Sequence, residues 1–452
     1  MRSLIFTTLI FSMLPAAFFS PFVSVLLWSY ISFGSPQRLT WGFSDIIPFA
    51  VVVGLTGILG WMMVERRRIP GDATTWLIVA FMTMITISTY FAIVPDEAWP
   101  KWWITIKALF YVLLTAALLT NRVRIHALIW IMVIAVGFYG IKGGIFTLIT
   151  GGNFRIYGPD GTAIGDNNHI AAALVVVMPL MNYLGRQSKN EMLRTGSRIA
   201  MGLCLLSVLA SYSRGSFLAL IAMLPFLMTH AKHKFITTVF TLVMLAFSIA
   251  FMPGQWVERI QTIQTYQQDS SAEGRLEMWR AATKMALARP LVGVGFKGPY
   301  IQSVMDEYSP GTGARAVHSI WFENLGENGF IALFIWIALA VVGIQNCRVI
   351  IRRTRDAPAL KWANDLGHMS LVALVGFYVG GSFLSLSYWD FYFTMLVILA
   401  ATRRIVAAEL ATENPAARFA PSFMQKRGLK PALPRPGFAA GRVALNPKPL
   451  PR

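Results

Sequence analysis

"LLSVLASYSRGSFLALIAML" (Leu205–Leu224) decides how this chain folds, because it is almost entirely apolar and yet carries Arg214 at its middle. An arginine at the centre of a bilayer costs about 2.5–3.5 kcal/mol on insertion scales. The flanks remove the paradox. "RTGSR" (Arg194–Arg198) and "HAKHK" (His230–Lys234) are both basic and both belong on the cytoplasmic side. The chain therefore crosses outward and returns, with its turn at "YSRG" (Tyr212–Gly215). About 16 residues per crossing, at about 1.5 Å each, reach about 24 Å, short of a hydrocarbon core of about 30 Å. The turn is expected below the outer surface, at the floor of a cavity. Gly215 permits the tight turn, and Ser213 and Ser216 can cap a helix end.

The rest of the chain agrees with a membrane-embedded reading. Of 452 residues, 55% are hydrophobic and only 13% charged, about half the charged share of a soluble protein. The expected fold is an all-α polytopic membrane protein of about twelve transmembrane helices. Candidate spans run over about 4–33 (long or broken, with Pro15 and Pro21 inside), 43–64, 74–93, 102–120, 125–150 and 168–185. They continue over 198–212, 215–230, 235–252, 319–346, 366–386 and 388–403. The connections alternate between basic ("ERRRIPGD", "NRVRIH", "GRQSKNEMLRTGSR", "HAKHK", "RVIIRRTRD") and non-basic ("PDEAWPK", "GGNFRIYGPDGTAIGDNN", "YSRG", "LSYW"). The basic set is expected in the cytoplasm together with both termini. No small-residue cleavage site follows a short apolar run at the N-terminus, so residues 4–33 read as a span rather than a signal peptide.

The net charge of +19 is spread over these short connections and the tail. That distribution serves topology and contact with anionic headgroups, and it excludes a nucleic-acid partner. Cys204 falls in an apolar run and Cys347 at a basic boundary, so they are not expected to pair.

Four regions are expected: membrane helices over 1–252, a periplasmic loop domain over 253–318, further membrane helices over 319–403, and a basic, proline-rich, disordered cytoplasmic tail over 404–452. Within the loop, "AEGRLEMWRAATKMALARP" (Ala272–Pro290) reads as an amphipathic helix. Leu276, Trp279, Thr283, Ala286 and Leu287 share its apolar face and Arg280 and Lys284 the opposite one; Pro290 ends it. "LVGVGFKGPY" (Leu291–Tyr300) follows as a glycine-rich turn.

Several outer residues suit chemistry on an anionic substrate. Arg214 could hold a pair of phosphate oxygens, or snorkel to a headgroup. Arg275, at the start of the loop helix, could reinforce an anion site at the helix N-terminus, or be an ordinary surface arginine. His318, where the loop re-enters the membrane, could act as a general base, or be structural; Glu323 and Glu327 beyond it could orient it or cap helices. "FRIYGPDGTAIGDNNHIAA" carries Arg155, Asp160, Asp166, Asn167, Asn168 and His169, which line the same cavity or cap a helix. No Asp-x-Asp motif and no close acidic pair lies on the outer face, so arginines would neutralise a diphosphate in place of a metal.

Taken in order, "SYSRG", "EGRLEMW", "RPLVGVGF" and "HSIWFENLGENG" resemble the O-antigen ligase superfamily, which includes O-antigen polymerases, over roughly residues 150–345. "SPQRLTWGF" (Ser35–Phe43) resembles the exosortase-associated O-glycosylation ligases. One difference is Ser319, where many relatives carry asparagine. The resemblance implies a metal-independent, inverting glycosyltransferase without cofactor in the bacterial inner membrane. It would act on the periplasmic face, moving a glycan from undecaprenyl diphosphate to a hydroxyl of lipid A–core. It carries the family's two essential arginines onto Arg214 and Arg275 and its histidine onto His318. Arg155, Asn168 and Ser213 are the expected substrate contacts. A polymerase or a protein O-glycosylation ligase would share the donor chemistry. A polysaccharide transporter or flippase is the rival from another class, and would call for inverted repeats, of which the sequence has no trace.

Overall fold

A computed structural model describes residues 1–40, 42–65, 67–229 and 270–413. The span read at 235–252, the start of the expected loop and the tail beyond 413 lie outside these residues. Met1–Val406 forms one compact unit and Ala407–Arg452 a second, of which the described part is helical.

Only helices and turns occur among the described residues. α1 (Arg2–Phe19), α2 (Pro21–Gly34), α3 (Phe49–Met63), α4 (Ala73–Tyr90), α5 (Pro95–Leu118), α6 (Arg122–Thr150) and α7 (Asn167–Gln187) come first. α8 (Glu191–Ala210), α9 (Arg214–Thr229), α10 (Ser270–Ala288), α11 (Gln302–Tyr308), α12 (Ile320–Thr354), α13 (Lys361–Gly381) and α14 (Asp390–Glu413) follow. Eight of these, α1, α4–α8, α12 and α14, are long and apolar enough to cross a membrane, whereas α2, α3 and α9 are apolar but shorter. The expected count of twelve is therefore not reproduced among the described residues. The run 4–33 is broken, because Ser20 leaves helical geometry and Pro21 opens α2 without an N–H to lose. The run at 366–386 belongs to α13, which carries Asp365 and His368 and is not among the eight.

α13 packs against α7, α9 and α12, while α6 packs against α7 and α8. The α6–α8 approach depends on Gly144, where a Cβ would collide with the backbone of Leu203. α8 corrects the short-crossing argument. Asn190 caps it, Oδ1 accepting from Met192 N at 2.8 Å, so it starts well before the expected boundary at 198. Its 20 residues reach about 30 Å, and only α9 remains short.

The segment between α9 and α12 has its own core. Met278, Ala281, Ala282 and Met285 of α10 are buried with Val294, Val304, Met305 and Val317, and Ile93 and Val94 of the α4–α5 connection pack on them. The expected helix is present, and of its expected apolar face Ala286 is buried and Trp279 packs on this core, but the buried stripe is centred on the Met/Ala row. Leu287, expected inside, is 67% exposed, while Arg280 and Lys284 are exposed as read. Small side chains let α10 lie close on α12, where a Cβ at Gly326 would sit 3.0 Å from Ala282.

α12 is broken at Gly329, which has φ +78°. Helix carbonyls lose their partners at such a break. The glycine-rich turn supplies replacements: Val294 N donates to Gly326 O (3.0 Å) and Gly295 N to Glu327 O (2.9 Å). In return Phe330 N donates to Pro290 O (2.9 Å), and Ser88 Oγ of α4 also reaches Glu327 O (2.9 Å).

Candidate active site

The "YSRG" turn sits at the α8–α9 junction. Ser213 Oγ accepts from Ser216 N (3.3 Å) and bonds Ser216 Oγ (3.1 Å), so this side chain, expected to meet substrate, caps α9. Tyr212 takes a left-handed φ of +58°. The preceding loop clasps the turn: Asn167 Nδ2 donates to Ser211 O (2.8 Å), Tyr212 Oη to Gly152 O (2.7 Å) and Ile156 N to Ala210 O (3.3 Å). Arg155 is exposed and its guanidinium lies 5.8 Å above the Tyr212 ring. Arg155 and Lys142 line a cavity of about 470 Å³ with Tyr139, Phe146, Ile149 and Tyr157.

From this turn, contacts run to the other two candidate residues. A Cβ at Gly215 would lie 3.3 Å from Phe383, in the α13–α14 connection. Phe383 meets Trp279 of α10 (centroids 6.4 Å), which stacks on Phe322 of α12 (5.1 Å) and donates from Nε1 to Val317 O (3.1 Å). His318 is next in sequence. It too takes a left-handed φ, +52°, and its backbone N donates to Ser385 Oγ (3.0 Å). Only four non-glycine residues among those described have left-handed φ. Two of them, Tyr212 and His318, lie at candidate positions, where strain in an over-determined backbone tends to gather.

Arg275 occupies the first turns of α10 and is half-buried. Burial first, and then the charge of Arg275, hold the His318 imidazole down to about 4; His169 and Arg315 act the same way, and Asp166 opposes them. Arg275, His318, Asp166 and His169 therefore share one electrostatic neighbourhood. His318 Nδ1 is buried without a hydrogen-bond partner among the described residues, as is Ser319 Oγ.

Asp166 caps α7, its Oδ1 accepting from Asn168 N (2.7 Å) and His169 N (2.8 Å), while Oδ2 pairs with His169 Nδ1. Its carboxyl is held down at about 2, the hydrogen bond and charge of His169 outweighing burial. Asn168 is half-buried in the first turn of α7, beside this cap. Glu323 and Glu327 neither orient His318 nor cap α12. Glu323 Oε2 accepts from Ser387 N (3.2 Å) and Oγ (2.7 Å). Glu327 accepts from Tyr388 Oη (2.7 Å) and Lys297 N (2.9 Å). They brace the break in α12 against the α13–α14 connection. Ser385 is the contributor to which the sequence does not point, because a lone serine in a turn has no spacing signal; Asn167 stands among the outer-loop residues read from the sequence.

Among the described residues no group of three or more His, Cys, Asp and Glu side chains could hold a metal ion. Cys204 and Cys347 are buried and unpaired with each other.

Two family models match the chain. Residues 1–189 match a family of unknown function, DUF5935, and residues 199–337 match the O-antigen ligase family. No curated protein matches it.

Proposed function

Residues 199–337 match the O-antigen ligase family, and from that match we propose that the protein moves a glycan from undecaprenyl diphosphate onto a hydroxyl of lipid A–core. The observation that carries this reading is the half-buried His318, with its Nδ1 enclosed, lying within the field of Arg275 and joined through Trp279 and Phe383 to the turn bearing Arg214.

In the proposed reaction His318 accepts the proton of the acceptor hydroxyl as that oxygen attacks the anomeric carbon. The bond from the anomeric carbon to the diphosphate oxygen breaks on the opposite side, so configuration inverts. Arg214 and Arg275 neutralise the charge that develops on the leaving polyprenyl diphosphate. Arg155 and Lys142, on the adjoining cavity, draw the same anion toward the turn. The donor's negative charge would also raise the basicity of His318, so donor binding would arm the base. No step requires a divalent metal.

The test is transfer of a labelled glycan by purified protein in lipid, with EDTA present, offering lipid A–core and a second lipid-linked glycan as alternative acceptors. Label on lipid A–core, lost in His318→Ala, Arg214→Ala and Arg275→Ala, is the expected outcome. Label on the second lipid-linked glycan would make the protein a polymerase instead. Abolition of wild-type transfer by EDTA, or near-normal transfer by His318→Ala, would overturn the scheme.

A further inference from the structure

A second cavity, of about 500 Å³, lies among α2, α3 and α5. This volume falls in the range of ligand-sized sites. α3 and α5 each pack on α2, which forms the floor with Trp28 stacked on Tyr111 (centroids 4.5 Å). Gly54 and Leu55 of α3 form one wall, and Trp103 and Lys107 of α5 the other. The mouth opens sideways: Leu55, Trp103 and Ile104 are all more than half exposed. A mouth of that composition, between the spanning helix α5 and the shorter apolar helix α3, faces lipid tails.

Lys107 is the exception in this lining. It sits one helical turn, about 6 Å, below Trp103 and lies over that ring at 5.2 Å. None of the ion pairs among the described residues uses it. Ser32, on the floor, gives its hydroxyl to Asp390 (2.5 Å). Trp99, Trp102 and Trp103 mark the headgroup level of α5, as tryptophans do at membrane interfaces. An ammonium one turn below that belt reaches headgroup depth by extending along its stem. With no acidic partner among the described residues, this ammonium is placed to attract the phosphate of an anionic lipid.

We propose that this groove holds an anionic membrane phospholipid, its phosphate on Lys107 beside Trp102 and Trp103 and one acyl chain between α3 and α5. The site is independent of the glycan-transfer reading. It shares no residue with the cavity of Arg155 and Lys142.

Native mass spectrometry of the detergent-purified full chain tests it, with phosphatidylglycerol and phosphatidylcholine added in equal amounts. Wild type should retain one phosphatidylglycerol at collision energies that strip phosphatidylcholine. Lys107→Ala should reduce that retention about fivefold, the effect of one basic residue at an anionic lipid surface, while Lys107→Arg should keep it. Gly54→Leu, which fills the groove without touching the charge, should also lose it. Elution volume and melting temperature control for folding in each variant. Equal retention by wild type and both loss variants, no preference for phosphatidylglycerol, or Lys107-dependent retention of undecaprenyl phosphate instead would each overturn the proposal.

Discussion

His318 is a base whose environment works against its own protonation. Burial comes first, then Arg275, and together they place its titration near 4 instead of 6.5. A base must be neutral to accept a proton, so the sign is fixed: the free enzyme keeps its activity as pH falls through 6 and loses it only as pH nears 4. The acid limb of kcat/KM should lie there, and the limb of kcat should lie higher, because the bound diphosphate favours the imidazolium. Arg275→Gln removes a depressing charge and should move the kcat/KM limb upward while lowering kcat by about 10²–10³. His318→Gln should cost about 10²–10⁴ in transfer with no gain from changing pH. Initial-rate profiles from pH 4 to 9 check all three. The sequence pointed to Arg214 and His318, because a charge in an apolar run and a histidine at a membrane boundary stand out, whereas Arg275 was singled out by the family resemblance. It was silent on how they meet. That rests on Trp279, Phe383 and Ser385, whose partners are more than 35 residues away and follow no local period.

At the scale of elements, the break in α12 is the feature that positions His318's helix. Residues 320–354 carry a helical apolar period across the break, so the sequence alone reads one continuous helix. The structure interrupts it because the 290–295 turn offers hydrogen bonds at the height of Gly326, Glu327 and Phe330. A Cβ at Gly329 would stand 2.6 Å from Pro290 O in a left-handed backbone, and one at Gly293 would stand 2.6 Å from Glu327. Gly329→Ala should therefore destabilise by at least about 2 kcal/mol and lower the thermal midpoint in detergent. Tyr388→Phe tests the brace separately. It strips Glu327 Oε2 of its buried donor, and Asn328 Nδ2, now 2.5 Å from Tyr388 Oη, loses an acceptor. A cost of about 1–3 kcal/mol follows, read in the same melt. The α10 stripe was misread for a related reason: Leu276, Trp279 and Leu287 drew the apolar face toward bulk, whereas a helix lying on Gly326 needs alanine there.

Over the whole molecule, the connections sort into two ends, as their charges anticipated. At one end Glu65 pairs with Arg124 (2.8 Å), Arg122 donates to Gln187 (3.4 Å) and Gln187 to Asp365 (2.9 Å), which joins three of the basic connections to one another and to α13. At the other end Asn167 reaches Ser211 (2.8 Å), His318 reaches Ser385 (3.0 Å) and Ile93 N reaches Val294 O (3.1 Å). All six candidate residues belong to this second end, whose long connection before α12 is nearly charge-balanced. Charge asymmetry of this kind sets orientation, basic side inward, so the candidate site should open to the periplasm. Cysteine labelling can decide it with a quiet background, since Cys204 and Cys347 are both buried. Asp160→Cys and Ser303→Cys occupy exposed positions at the site end; Lys189→Cys and Ala359→Cys occupy exposed positions at the basic end. A membrane-impermeant maleimide, applied to spheroplasts whose outer membrane has been removed, should modify the first pair at once. The second pair should react only after lysis. The reverse pattern would put His318 and both arginines on the cytoplasmic face and remove the periplasmic ligase reading with them.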